Sequence, residues 1–282
     1  MDKYLSIDIG GTFIKYNVMD AQGQILETSD IPTAIDTDTF KEQLVGVVEK
    51  HKKEVAGIGI CIAGFIDPQS GTNTDFSVRP SFRAFNIKEE LHRISGLPVM
   101  LENDSNCALI GEMEAGAGKR YSDVLLLTIG TGIGGALAID KKLYRGSHFK
   151  AGEANFMRMY GREPEATAGL VRKVSEALHK QVDGYYIFEH LEDDRIREIY
   201  EDWLKRLAVA VGNVAVFFDP EAVLIGGGIC EQKHFIEDLK KEVYDRFCHL
   251  EEYTQIKACE KGNQAGRIGA YVLLKQMLRK GV

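Results

Sequence analysis

Two stretches of this sequence are copies of one another. YLSIDIGGTFIKYNVMD starts at Tyr4 and VLLLTIGTGIGGALAID starts at Val124; a shift of 120 residues aligns them without a gap, Ile9 on Ile129, Gly10 on Gly130 and Asp20 on Asp140. In each copy a buried apolar run meets a glycine corner and turns back into a second strand, which alternates in the first copy at Ile14, Tyr16 and Val18. In the first copy Asp20-Ala21-Gln22-Gly23 then turns the chain into a third strand around Ile25. A repeat of this kind predicts two related halves, each opening on a glycine-cornered β-hairpin.

Between the copies helix and strand alternate. Phe40, Leu44, Val47, Val48 and His51 share one helical face, and the run from Val55 to Ala63 reads as a buried strand ending at Gly64. Asn86 with Glu89 three residues on marks a helix start, and Gly96 its end. Pro98 to Leu101 reads as a short strand leading into Glu102-Asn103-Asp104, after which Ser105 is the expected cap of the next helix. Beyond the second copy come a long helix from Ile196 to Phe218, stopped by Asp219-Pro220, a buried strand at Ala222 to Ile225 and an amphipathic helix from Gly266 to Lys280. Strands alternating with helices define an α/β protein.

Composition narrows the function. The net charge of −7 and the lack of a long basic stretch argue against a nucleic-acid partner. No apolar run reaches the roughly 20 residues that span a bilayer, so no membrane partner is expected. The N-terminus enters a strand pattern directly, without a signal-peptide profile, which predicts a cytoplasmic protein. Five widely spaced cysteines without a C-x-x-C pair predict neither a disulfide framework nor a structural zinc site.

Three glycine clusters each follow a buried strand: Gly10-Gly11 after Asp8, Gly130-Thr131-Gly132, and Gly226-Gly227-Gly228. Glycine permits a sharp turn and close approach of a ligand, and successive amides in such a turn form a concavity suited to phosphate. Gly130 to Gly135 also satisfies G-x-G-x-x-G, but the dinucleotide fingerprint needs a helix opening at its last glycines. Here Ala136 to Ile139 reads as a strand, and no Walker sequence is present. Hairpin corners are the expected phosphate holders, and a Rossmann dehydrogenase is only a distant alternative. Asp8, at a strand end, requires a metal or hydrogen-bond partner to offset its burial.

With these motifs in hand the chain resembles the ROK family of bacterial sugar kinases and related repressors, in the actin-like ATPase superfamily. The markers are DIGGT (8–12), GICIAG (59–64), LENDSNCALIGE (101–112), LTIGTGIGGAL (127–137), AGE (151–153) and LIGGGI (224–229). Within the family, LENDSNCAL and Asn263-Gln264-Ala265-Gly266 look closest to the β-glucoside kinase branch. The resemblance implies a two-domain actin-like (ribonuclease H-like) α/β fold with the active site in the interdomain cleft. The smaller domain would comprise residues 1–115 and 266–282, and the larger residues 116–265. It implies a sugar kinase acting on the 6-OH of a hexose or β-glucoside with ATP and Mg²⁺. Gly10, Gly11, Thr12, Thr131 and Gly132 would hold phosphates, Gly227 and Gly228 would pass under the adenosine, and Asp8 would hold Mg²⁺ through water. Asp104 would be the general base, with Gly64, Asn103 and Glu153 beside the sugar. Members are commonly dimers, so a homodimer is the expected assembly.

The departures fall in two loops. Most members carry E-x-G-H and a C-x-C-G-x-x-G-C zinc loop, whereas this chain has Glu153-Ala154-Asn155-Phe156 and then Arg162 to Ala168 without cysteine. Zinc is therefore not expected. Glu165 stands where the family places a further sugar-binding glutamate, and Arg79-Pro80-Ser81-Phe82-Arg83 replaces the asparagine-containing sugar loop. The alternatives are a sugar-responsive regulator, disfavoured by the seven residues ahead of Asp8, and a sugar-binding protein without catalysis, disfavoured by retention of both Asp8 and Asp104.

Overall fold

The computed structural model describes residues 2–154, 157, 166–232 and 234–281. The chain forms two compact units: residues 1–116, 146–150 and 263–282 make the first, and residues 117–145 and 151–262 the second. The short Gly146–Lys150 segment thus goes with the first unit.

The first unit is built on a five-stranded sheet in the order β3-β2-β1-β4-β5. Its strands are β1 (Lys3–Ile9), β2 (Phe13–Asp20), β3 (Ile25–Pro32), β4 (Val55–Ile62) and β5 (Val99–Asn103). β1, β2 and β3 form an antiparallel meander, while β4 and β5 run parallel to β1. The two faces of β1 and β4 are made from opposite residue types. Leu5, Ile7, Ile9, Ile58, Ile60 and Ile62 enter the core shared with Phe40, Leu44, Val47 and Val48 of α1 (Thr37–His51) and with Ile87 and Leu91 of α2 (Ile87–Ser95). Asn86 caps α2 as expected, accepting from the Glu89 amide at 3.1 Å.

On the opposite face Gly57 and Gly59 leave a flat surface for α8 (Ala265–Arg279). A Cβ on Gly59 would stand 2.5 Å from the Ala270 carbonyl oxygen, and one on Gly57 3.2 Å from Leu274. α8 also meets α3 (Asp104–Ala115) through glycine. Cβ atoms on Gly269 and Gly111 would run into the backbone carbonyls of Cys107 and Ala265. Backbone-to-backbone approach of this kind excludes any side chain.

The second unit repeats the plan with the sheet order β10-β9-β6-β7-β8. Its strands are β6 (Val124–Ile129), β7 (Ile133–Ile139), β8 (Lys142–Tyr144), β9 (Ala222–Gly226) and β10 (Gln255–Ala258). β9 lies parallel to β6 and β10. Its core gathers Leu125, Leu127, Ile129, Val223 and Ile225 against α4 (Thr167–Leu178), α5 (Gly184–Glu189), α6 (Asp194–Phe218) and α7 (Phe235–Arg246), with Trp203 at 1% exposure. No helix among the described residues is long and apolar enough to cross a membrane.

The duplication holds in topology but slips in register. Ile9 pairs with Ile14 across four intervening residues, whereas Ile129 pairs with Ile133 across three. The ungapped alignment is correct up to the corner and one residue out of phase on the return strand.

Candidate active site

β1, β4 and β5 run parallel, so their carboxyl ends lie along one edge of the first unit, where ligands of open α/β sheets bind. Asp8, the Gly10–Thr12 corner, Gly64, Asn103 and Asp104 are all at these ends. Asp8 is half-buried, and its Oδ1 accepts from the Cys61 thiol at 3.3 Å, Cys61 being its partner on β4. Burial pushes the Asp8 carboxyl up, while the Cys61 thiol and the charges of Arg267 and Lys15 pull it down.

Asp104 is the first residue of α3 but does not cap it, and neither does Ser105, contrary to expectation. Asn103 is the cap: its Oδ1 accepts from the Asn106 amide at 3.0 Å. Both residue types suit the position, and the strand simply runs two residues further than the pattern from Pro98 to Leu101 indicates. Asn103 Nδ2 also donates to the Gly64 carbonyl at 3.0 Å, tying β5 to the loop after β4. Buried Glu102 fastens the same turn, its Oε1 accepting from the Asn103 amide and from Asn106 Nδ2 at 3.0 and 2.9 Å. Asp104 is thereby left exposed, with Oδ1 accepting from the Ser105 amide at 2.8 Å. Loss of hydration among the surrounding atoms raises its pKa, the Ser105 amide lowers it and the Asp8 charge adds to the rise. Exposure of the side chain lets solvent screen these effects, so the shift is limited.

Gly64 holds φ +125°, and a Cβ there would collide with the Asn73 side chain, which donates to the Ala63 carbonyl at 3.1 Å. Only glycine satisfies both constraints.

The two hairpin corners are tied in similar ways, although the second closes one residue shorter. The first glycine's amide closes the turn: Gly10 to the Phe13 carbonyl at 3.0 Å, Gly130 to the Gly132 carbonyl at 2.9 Å. Its carbonyl accepts from a distant threonine hydroxyl, Thr33 for Gly10 and Thr167 for Gly130. The backbone amide of Thr33 also holds the Thr12 carbonyl at 2.9 Å, and Arg79 Nη1 holds the Gly11 carbonyl at 2.6 Å. Among the described residues, the amides of Gly11 and Thr12, and of Thr131 and Gly132, have no protein acceptor. Carbonyls tied back and successive amides left open at a turn are an arrangement chemically suited to accepting an anion.

In the second unit Gly227 has φ +94°, and a Cβ on it would strike the carbonyl of Ile129, directly before the Gly130 corner. Gly228 opens a short 3-10 turn to Glu231. Gly227 and Gly228 are exposed at the carboxyl end of β9, and the contact of Gly227 with Ile129 brings that end beside the corner. Gly152, at φ +86°, packs its backbone on Gly135 and Ala136 of β7, which fixes the loop carrying half-buried Glu153. Glu165, Asn155 and Phe156 lie outside the described residues.

Sequence reasoning missed Thr33, Thr167, Asn73 and Arg267. Arg267 on α8 is 5% exposed and its Nε has no protein acceptor among the described residues. Burial lowers its pKa and the nearby Asp8 charge raises it. For Arg267 the signal was a charged residue on the apolar side of the last helix.

Two α/β units, each opening on a glycine-cornered hairpin, define the actin-like ATPase class. The ROK family pattern matches residues 4–277, and the chain belongs to the ROK family. A β-glucoside kinase from Listeria monocytogenes is 33% identical over 292 residues, covering 95% of this chain and 96% of that protein. A ROK family protein from Streptococcus pneumoniae, solved in complex with sucrose, superposes with TM-score 0.87 at 30% identity over 99% of both chains. A ROK family glucokinase from Streptomyces griseus, solved with glucose and AMPPNP, superposes with TM-score 0.81 at 26% identity, covering 97% of this chain and 99% of that one.

Proposed function

We infer that this chain is a sugar kinase that transfers a phosphoryl group from ATP to a sugar hydroxyl, the 6-OH of a hexose or β-glucoside. One observation carries the inference: Asp104, freed from helix capping, shares a strand edge with the Gly10–Thr12 corner, whose two amides are open to an anion. The kinase names of the relatives support it, and the Listeria relative favours a β-glucoside.

Phosphoryl transfer asks for positioning, charge neutralisation and a proton acceptor. The Gly11, Thr12, Thr131 and Gly132 amides are assigned to the β- and γ-phosphates, with Gly10 closing its corner, and Gly227 and Gly228 to the adenosine. Gly64, Asn103 and Glu153 are assigned to the sugar. Asn103 keeps one N–H and one lone pair beyond its cap and Gly64 bonds, enough for one hydroxyl on each. Asp104 accepts the hydroxyl proton as the sugar oxygen attacks.

Mg²⁺ takes one or two carboxylates together with water and substrate phosphates. Asp8 fits that requirement as a single half-buried carboxylate beside the corner; no three His, Cys, Asp or Glu side chains gather into a metal-holding group among the described residues. Bound there, Mg²⁺ would offset phosphate charge. Residues 155–168 contain neither cysteine nor histidine, which supports a zinc-independent enzyme, and ATP use supports a cytoplasmic location.

The test is identification of the product by phosphorus and proton NMR after incubation with Mg-ATP and glucose, N-acetylglucosamine or cellobiose. A 6-phosphate, formed with highest kcat/KM from the β-glucoside, is the expected result. Phosphate at another hydroxyl, or ATP consumption without a phosphosugar, contradicts it.

A further inference from the structure

Arg79 stands in the loop that the sugar side of the family would occupy, yet its bond is to a phosphate corner. Nη1 donates to the Gly11 carbonyl at 2.6 Å. The base of the side chain is fixed: the Arg79 carbonyl accepts from the Phe82 amide at 3.0 Å in a 3-10 turn (Pro80–Phe82), and Phe82 packs on Phe40 with ring centroids 5.5 Å apart. Among the described residues no carboxylate pairs with Arg79, whereas neighbouring Arg83 lies over the Phe76 ring at 4.4 Å. A guanidinium has five N–H groups in a rigid fork. With one on Gly11, the rest remain for an anion at the turn whose Gly11 and Thr12 amides are also open.

We propose that Arg79 is a further catalytic residue, a cation supplied by the chain itself that contacts the γ-phosphoryl group at the Gly10–Thr12 corner as it moves to the sugar. The proposal rests on the sugar-kinase reading. In the step, the sugar oxygen forms a bond to the γ-phosphorus and the bond from that phosphorus to the bridging oxygen breaks. Its electron pair leaves on ADP, and the hydroxyl proton passes to Asp104. Charge spread over the γ-oxygens during this exchange is what a fixed guanidinium stabilises.

The experiment compares wild type with Arg79→Gln, Arg79→Lys and Arg79→Ala, reading kcat, the KM for sugar, Tm and the rate ratio of ATP to ATPγS. Expected is a kcat loss of about 10²–10³-fold in Arg79→Gln at unchanged sugar KM, with a smaller loss in Arg79→Lys. The thio ratio shifts toward unity, and added guanidinium ion partly restores Arg79→Ala. Rescue by guanidinium reads the role even where the Gln variant lowers Tm. An active wild type beside an Arg79→Gln variant with unimpaired kcat, or one changed only in sugar KM, overturns the assignment alone. A wild type that forms no ADP with any sugar overturns the kinase reading with it.

Discussion

Asp104 is held at the first turn of α3 by bonds that its neighbours make: Asn103 caps the helix and Glu102 fixes the turn. Its carboxyl is raised above the usual 3.8, as is that of Asp8. A raised carboxyl is a base only above its own pKa, so the acid limb of kcat/KM is expected on the high side of an ordinary aspartate's, by a limited amount; an acid limb below the usual 3.8 contradicts this. The sign for stability is the reverse. The proton is bound more tightly in the folded state, so ionisation of Asp104 lowers stability as pH rises through the folded value. Asp104→Asn is therefore expected to keep or raise Tm at pH 7, by calorimetry, rather than lower it. Asp8, Gly10 to Thr12 and Asp104, the residues to which the proposed chemistry is assigned, could be singled out in the sequence because each sits where a strand pattern ends. Thr33 and Thr167 could not, because their bonds to Gly10 and Gly130 span 23 and 37 residues and leave no local signature.

At the scale of elements, glycines divide into those that backbone contact demands and those that are merely present. Gly269 of α8 lies against the Cys107 carbonyl of α3, which cannot rotate away, so Gly269→Ala is expected to destabilise by about 2–3 kcal/mol in urea unfolding. Gly46, exposed in mid-α1 with nothing within 4 Å of a Cβ, gives the opposite sign. Gly46→Ala is expected to stabilise by about 0.4–1 kcal/mol through the unfolded chain. Helix and strand identities were readable from periodicity, as with α1, β4, α6 and α8. The one-residue slip between the hairpins was not, because DIGGTFI and TIGTGIG align equally well whether the corner holds three or four residues. Pairing of Ile129 with Ile133 depends on the ladder, not on residue type.

At the scale of the molecule, the two related units were foreseen from the repeat, whereas the assignment of Gly146–Lys150 to the first unit follows from contacts distant in sequence. The two altered loops remain the least legible part, since Arg79 in the first bonds to the Gly11 carbonyl and Glu165 in the second lies outside the described residues. Ligand linkage offers a whole-chain prediction. A non-hydrolysable ATP analogue with Mg²⁺ at a hundred times its Kd is expected to stabilise the fold by about 2.7 kcal/mol, and Asp8→Asn to remove the Mg²⁺ dependence of that gain. The most direct test of the whole account is ADP release in a coupled assay with cellobiose and glucose, wild type against Asp104→Asn. The account predicts sugar-dependent turnover in the wild type and a loss of at least about 10²–10⁴-fold in the variant, whose fold persists. Sugar-dependent turnover that survives the substitution contradicts it.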